Sequence, residues 1–264
     1  YEIGIGNTSE VSAFGYGAGA WGAEEWGDAR SATSVTLQAR VWSFDNFGED
    51  LVATHEGGGL YQWDSSVGVA TRAAAITNAP SENALAVVTT PDRHLVSFGA
   101  HDGSVQDPML VKWADQETLT TWTASASNTA GSQTLSGGSK IVARVRSQGQ
   151  TLVWTDAGLH AMQYIGPPYT FGFKELGSNC GAIGKNSVAT VQSSNYWMGI
   201  DNFYVYDGAV GVLPCTVHGY IFDNMDLTAG DRVAAGVNHK FNEVIWHYCE
   251  TGKSNNNRYV IYNY

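Results

Sequence analysis

Basic residues are scarce in this sequence: 14 Lys and Arg stand against 25 Asp and Glu, a formal net charge of -11 over 264 residues. Affinity for phosphate comes from Lys and Arg, so the balance excludes an exposed face that grips nucleic acid. It leaves room for a protein that sits near DNA without holding it. Cysteine is almost as sparse. Cys180, Cys215 and Cys249 are odd in number and far apart, which excludes a disulfide framework and a zinc-knuckle spacing and leaves buried free thiols as the expectation. No apolar run approaches the ~20 residues of a membrane-spanning helix, and no signal peptide is visible. Lys, Glu and Leu, the good helix formers, are thin throughout, and charged residues make up only 15% of the chain, below the usual quarter.

What is abundant is glycine, with 31 residues, and aromatic residues at 12%. With Ser and Thr they favour strands and turns over helices. One glycine cluster, Gly17-Ala18-Gly19-Ala20-Trp21-Gly22, matches the G-x-G-x-x-G pattern of dinucleotide-binding turns. Its context does not. That chemistry needs a buried strand before the turn and a helix opening on its last glycine. Here "TSEVSAF" precedes it and "AEEWGDARSATS" follows, and neither fits, so no cofactor is assigned.

A longer unit recurs. The segments 51–64, 95–115, 152–166, 196–208 and 244–264 each read as an apolar strand, a turn with Gly, Asp or Asn, and a second strand ending in aromatics, the pattern of a β-hairpin. Their starts lie 44 to 57 residues apart, about the length of one four-stranded propeller blade. A further strand precedes four of the hairpins, at 84–90, 139–147, 185–193 and 231–239. The reading is an all-β fold, a β-propeller of four-stranded blades with about five blades visible. It occupies residues 35–264, after an irregular Gly/Trp-rich arm at 1–34. Trp63, Trp113, Trp154, Tyr164, Trp197 and Trp246 are the candidate structural core. Phe14, Tyr16, Trp21 and Trp26 in the arm are candidate contacts, either with the propeller edge or with a neighbouring subunit. The chain starts at Tyr1 rather than Met and ends on the strand-like "RYVIYNY", so the propeller is expected to be part of a longer polypeptide.

Catalytic chemistry finds little purchase. His55-Glu56 and His101-Asp102 sit in hairpin turns, the other histidines are scattered singly, and no H-E-x-x-H occurs. No G-x-S-x-G elbow is present, and a sialidase-like site would need arginines and Asp-box turns that are not evident. No catalytic or metal-binding residue is assigned, and the chain is read as non-enzymatic.

The stretch 109–166 resembles the bacteriophage tail hub or nozzle proteins, the tail-tubular and packaged-DNA-stabilising group. Trp113, Asp115, Trp122, Gly138, Ile141, Val153, Trp154, Asp156, Gly158, Tyr164 and Gly166 carry the resemblance. Segments 180–208 and 41–64 are similar to the same group. The resemblance implies a structural virion protein that forms a ring with copies of itself, commonly six-fold (a homohexamer), below the portal and adaptor proteins. Tail spikes or fibres would be further partners. Packaged double-stranded DNA would pass without specific binding, on its way to retention and ejection. The protein would be made in the host cytoplasm and reside in the tail, with no membrane anchor and no cofactor. An acidic wall would then let DNA slide, with Asp102, Asp107, Asp201 and Asp207 as candidate lumen acids. A carbohydrate-binding or glycosidase-type propeller is the alternative.

Overall fold

The computed structural model describes residues 9–11, 34–36, 41–253 and 255–264. The chain divides into two compact units, Tyr1–Arg40 and Val41–Tyr264. In the first, β1 (Ser9–Val11) pairs antiparallel with β2 (Ser34–Thr36), Ser9 opposite Thr36. The boundary expected between residues 34 and 35 falls inside β2, and the propeller unit starts at Val41. Phe14, Tyr16, Trp21, Trp26 and the glycine pattern at 17–22 lie outside the described residues.

The second unit is a run of five antiparallel meanders, the blades of a β-propeller. Blade 1 holds β3 (Trp42–Phe47), β4 (Asp50–His55), β5 (Leu60–Trp63) and β6 (Ala74–Ala75). Blade 2 holds β7 (Leu85–Val88), β8 (Leu95–Phe98), β9 (Leu110–Trp113) and β10 (Gly131–Thr134). Blade 3 holds β11 (Ile141–Ser147), β12 (Gln150–Thr155), β13 (Gly158–Gly166) and β14 (Thr170–Ser178). Blade 4 holds β15 (Val188–Val191), β16 (Ser194–Met198), β17 (Phe203–Tyr206) and β18 (Val210–Val212). Blade 5 holds β19 (Ala234–Asn238), β20 (Glu243–Tyr248) and β21 (Arg258–Asn263), three strands among the described residues. Each sequence hairpin forms strands two and three of one blade. Hairpins 152–166 and 196–208 fall in separate sheets.

The first strand of each blade lies against the first strand of the next, from β3 through β7, β11 and β15 to β19. These strands are therefore innermost. Local chemistry sets the turns between strands. Between β11 and β12, Gln148 and Gly149 have φ of 40° and 77°, the double positive φ of the hairpin turn that matches strand twist.

Side chains alternate across a strand, so each blade offers two faces. Four apolar clusters fill the spaces between successive blades. Val52, Leu60, Val88 and Leu95 join blades 1 and 2. Val87, Phe98, Trp113, Val153 and Met162 join blades 2 and 3. Leu152, Trp154, Trp197 and Tyr204 join blades 3 and 4, and Met198, Phe203, Val244 and Trp246 join blades 4 and 5. In β12, Leu152 and Trp154 point to blade 4 and Val153 to blade 2, so "TLVW" is continuously apolar as a doubly covered strand must be. A five-residue helix, α1 (His218–Phe222), adds Ile221 to the last cluster.

Of the expected core residues, Trp113, Trp154, Trp197 and Trp246 are buried. Trp63 and Tyr164 are only half-buried. Trp63 lies on the outward face of blade 1, where no described blade covers it, and its indole N–H donates to the Thr71 carbonyl. Tyr164 packs its ring beside His94 and Phe171.

Trp154 meets Trp197 edge-on with ring centroids 5.4 Å apart, and its indole N–H has no protein acceptor. Replacing Trp154 by Ala is expected to cost ~3–5 kcal/mol, while Trp154→Phe keeps a ring, loses no hydrogen bond and costs less. Urea titration of the two variants checks both expectations. Equal midpoints for Trp154→Ala and wild type would contradict burial between the blades.

Candidate functional site

Charged side chains meet along the inner strands of the propeller. β11 is apolar except for Arg144, Arg146 and the terminal Ser147, and the two arginines, two positions apart, lie on one face. The Arg144 Nε donates to the Ala86 carbonyl on β7 at 2.8 Å, and its Nη2 donates to Ser43 Oγ on β3 at 2.9 Å. Arg146 donates to the Val88 carbonyl and, at 2.9 Å, to Asp45 Oδ1. The second oxygen of the buried Asp45 accepts the Val88 N–H at 2.9 Å. Two arginines of blade 3 thus reach over blade 2 to blade 1. Burial holds the Arg144 guanidinium below its ordinary pKa, Asp45 opposes that shift and Arg146 adds to it.

At the other end of the same strands, Lys185 donates from Nζ to the Val41 carbonyl at 2.8 Å and lies 3.8 Å from the Glu56 carboxylate. Burial lowers the Lys185 pKa, with Glu56 and Asp231 acting in the opposite direction. A small cleft of about 30 Å³ lies there, lined among others by Glu56, Leu85, Ile141, Lys185 and Asp231. That is room for about one or two water molecules, well below a small-ligand pocket.

The residues that carry the resemblance act within the loops and the core. Trp113 Nε1 donates to the Thr129 carbonyl at 2.8 Å and Trp122 Nε1 to the Leu119 carbonyl at 2.7 Å. The Asp115 carboxylate accepts Gln116 N–H, Thr129 N–H and the Thr129 hydroxyl, folding the connection from β9 to β10 back on itself. Asp156 accepts from Ser139 N–H at 2.8 Å and from the Ser139 hydroxyl, pinning the entry to β11. Gly158 is required by close approach, because a Cβ there would stand 2.7 Å from the Gly177 carbonyl oxygen. For Asp115 and Asp156 burial raises the pKa, but the hydrogen bonds outweigh it and both are held below the ordinary value.

The remaining candidates are turn-formers. Asp102 accepts Val105 N–H and Ser104 N–H, bonds that bring its pKa down to about 2. His101 Nδ1 accepts Gly103 N–H, and His55 Nδ1 lies 3.0 Å from the Glu56 carbonyl. Asp107 accepts Met109 N–H, and the Asp207 N–H donates to the Ala209 carbonyl. Asp201 accepts the Tyr204 hydroxyl at 3.0 Å, and burial followed by that bond pushes the Tyr204 pKa up to about 12. Asp102, Asp201 and Asp207 are exposed and Asp107 is half-buried. Cys180 and Cys249 are buried free thiols with raised pKa values, and Cys215 is a half-buried one. Among the described residues, no three His, Cys, Asp or Glu side chains cluster as metal ligands.

Sequence reading missed Asp45, Arg144, Arg146 and Lys185. The signal was available in "IVARVRS", where two arginines share one face of a mostly apolar strand.

Because Asp102, Asp115 and Asp156 have folded pKa values below their unfolded ones, the stability they supply is complete above the unfolded value, about pH 4. It is lost as the pH falls through the folded values, toward about 2 for Asp102. The melting temperature should therefore drop steeply below about pH 4. Asp156→Asn should lower it at neutral pH and flatten that acid slope. Circular dichroism melts from pH 7 to 2 provide the check, and an unchanged slope in the variant would refute the assignment.

No protein-family model matches the chain, and no curated protein does. Solved structures similar to it include BamB from Moraxella catarrhalis, at 13% identity and a TM-score of 0.42, covering 80% of this chain and 58% of that one. AztD from Citrobacter koseri is 10% identical with a TM-score of 0.46, covering 88% and 62%. The AfRom2 CNH domain is 12% identical with a TM-score of 0.48, covering 84% and 72%. The chain spans about three-fifths of the BamB and AztD chains, and likeness at this level carries no functional argument.

Proposed function

We propose that the chain is a structural component of a bacteriophage tail nozzle or hub, assembled as a ring of its own copies below the portal and adaptor. The observation that carries this reading is the use made of the residues behind the resemblance. Trp113, Asp115, Trp122, Trp154 and Asp156 are engaged in interblade packing and in loop-holding hydrogen bonds. They build a scaffold, as the residues of a load-carrying virion part would, and the reading assigns them no catalytic role. The Arg144 and Arg146 guanidiniums are hydrogen-bonded to inner-strand groups of blades 1 and 2, so these two cations serve the contact between blades.

On this reading the genome passes through the lumen of the ring, where a net charge of -11 per copy favours sliding over retention by counterion release. Purified protein should form rings, commonly six-fold, by native mass spectrometry or particle imaging. It should show no duplex binding at physiological salt, and particles lacking it should leak genome. Salt-dependent submicromolar duplex affinity, or glycan binding by a stable monomer, would count against the nozzle reading.

A further inference from the structure

His94 immediately precedes β8 and is wholly buried. Both of its ring nitrogens meet side-chain oxygens. Nδ1 lies 2.9 Å from Asp92 Oδ2, and Nε2 lies 3.0 Å from Thr129 Oγ1. Those oxygens decide where the protons are. The Thr129 hydroxyl has one proton, which goes to Asp115 Oδ1 at 2.7 Å. Its oxygen also accepts the Gln116 N–H at 3.0 Å, so Nε2 can meet it only as a donor. On the other side, Asp92 Oδ2 accepts the Thr89 hydroxyl at 2.6 Å. A carboxylate has nothing to donate, so Nδ1 must carry a proton as well. Burial raises the Asp92 pKa, but the bonds from His94 and Thr89 outweigh it and hold it below its ordinary value. Asp115 is held low in the same way, so both acids are ionised at neutral pH.

We propose that His94 is a buried imidazolium shared between the Asp92 carboxylate and the Thr129–Asp115 pair. Its charge locks the connection of residues 115–129 onto blade 2 until alkali removes a ring proton. Thr129 is where the lock takes hold. Its N–H and hydroxyl donate to Asp115, and its carbonyl accepts Trp113 Nε1 at 2.8 Å and Thr170 Oγ1 at 3.0 Å. Trp113 belongs to β9 and Thr170 to β14, so the residue that receives the Nε2 proton also ties blade 2 to blade 3. From blade 3, Phe171 and Tyr164 pack on the His94 ring at 5.1 and 5.7 Å. Asp92, Asp115 and Tyr164 are the titratable groups around it. Of the neighbouring cations, Arg93 pairs with Glu117 at 2.8 Å and Arg146 with Asp45, so each is already matched. A neutral imidazole has a single N–H and would leave one of its two contacts without a proton, in a site closed to solvent. The lock therefore fails in alkali, whereas the turn carboxylates Asp102 and Asp156 fail in acid.

Neutron diffraction from deuterated crystals at about pH 8, where an ordinary imidazole is largely neutral, reads the protons directly. Deuterium is expected on both His94 nitrogens, on Thr129 Oγ1 toward Asp115, and on neither oxygen of Asp92. A bare ring nitrogen, or deuterium on Asp92, would overturn the imidazolium. Hydrogen–deuterium exchange of the wild-type protein reads the lock itself. Between about pH 8 and 10, protection of the Gln116 and Thr129 amides, corrected for the intrinsic rate, should fall about tenfold more than that of β16 in blade 4. Equal changes in the two regions, or none, would overturn the lock. Neither readout depends on ring assembly or on duplex binding, so the inference stands apart from the nozzle reading.

Discussion

The propeller rests on one constraint: a blade has two apolar faces and cannot bury either alone. A strand such as β12 sends Leu152 and Trp154 one way and Val153 the other. Only a neighbour on each side removes both from water. Trp154 and Trp197 meet across one such space, and Phe203 and Trp246 across the next. The hydrophobic gain scales with the area removed from water, so it accrues between sheets rather than within them. The inner blades therefore hold the outer ones, and among the described residues no blade covers the outward faces of blades 1 and 5.

Polar groups follow the same logic. Within a blade, hydrogen bonds close the sheet. Between blades, long cations carry the connection: Arg144 and Arg146 span from blade 3 to blades 2 and 1, and Lys185 reaches back to Val41. Each of these three cations has a carbonyl or carboxylate partner. Asp115 and Asp156 gather backbone N–H groups at loop entries, where a carboxylate is a stronger acceptor than a neutral group. A protein shaped by these contacts has its distinctive side chains engaged in architecture, and that is the physical content of a scaffold reading.

The blade order was legible because second and third strands are rich in apolar residues and end in aromatics, giving "LVWTDAGLHAMQY" and "YWMGIDNFYVY" a pattern that recurs. Outer strands were not legible for the converse reason. β6 is two exposed alanines, and β10 reads "GSQT", mostly exposed, so neither carries a hydrophobic period. The helix α1 has no side-chain cap and only five residues, too short for a helical period to emerge. Trp63 misled by composition. Its strand resembles the others, but no described blade packs on its face, a tertiary fact that a local pattern does not encode. The Arg144 staple links positions about a hundred residues apart, and only the fold brings them together.

The claim that blades stabilise one another face to face is tested most directly by a double-mutant cycle across one space. Trp154→Leu and Trp197→Leu, singly and together, would be measured by equilibrium urea unfolding. The account predicts a coupling energy of about 1 kcal/mol, within the range of a packed aromatic pair. All four proteins should keep a single transition. Strict additivity, or separate transitions for the two blades, would contradict it.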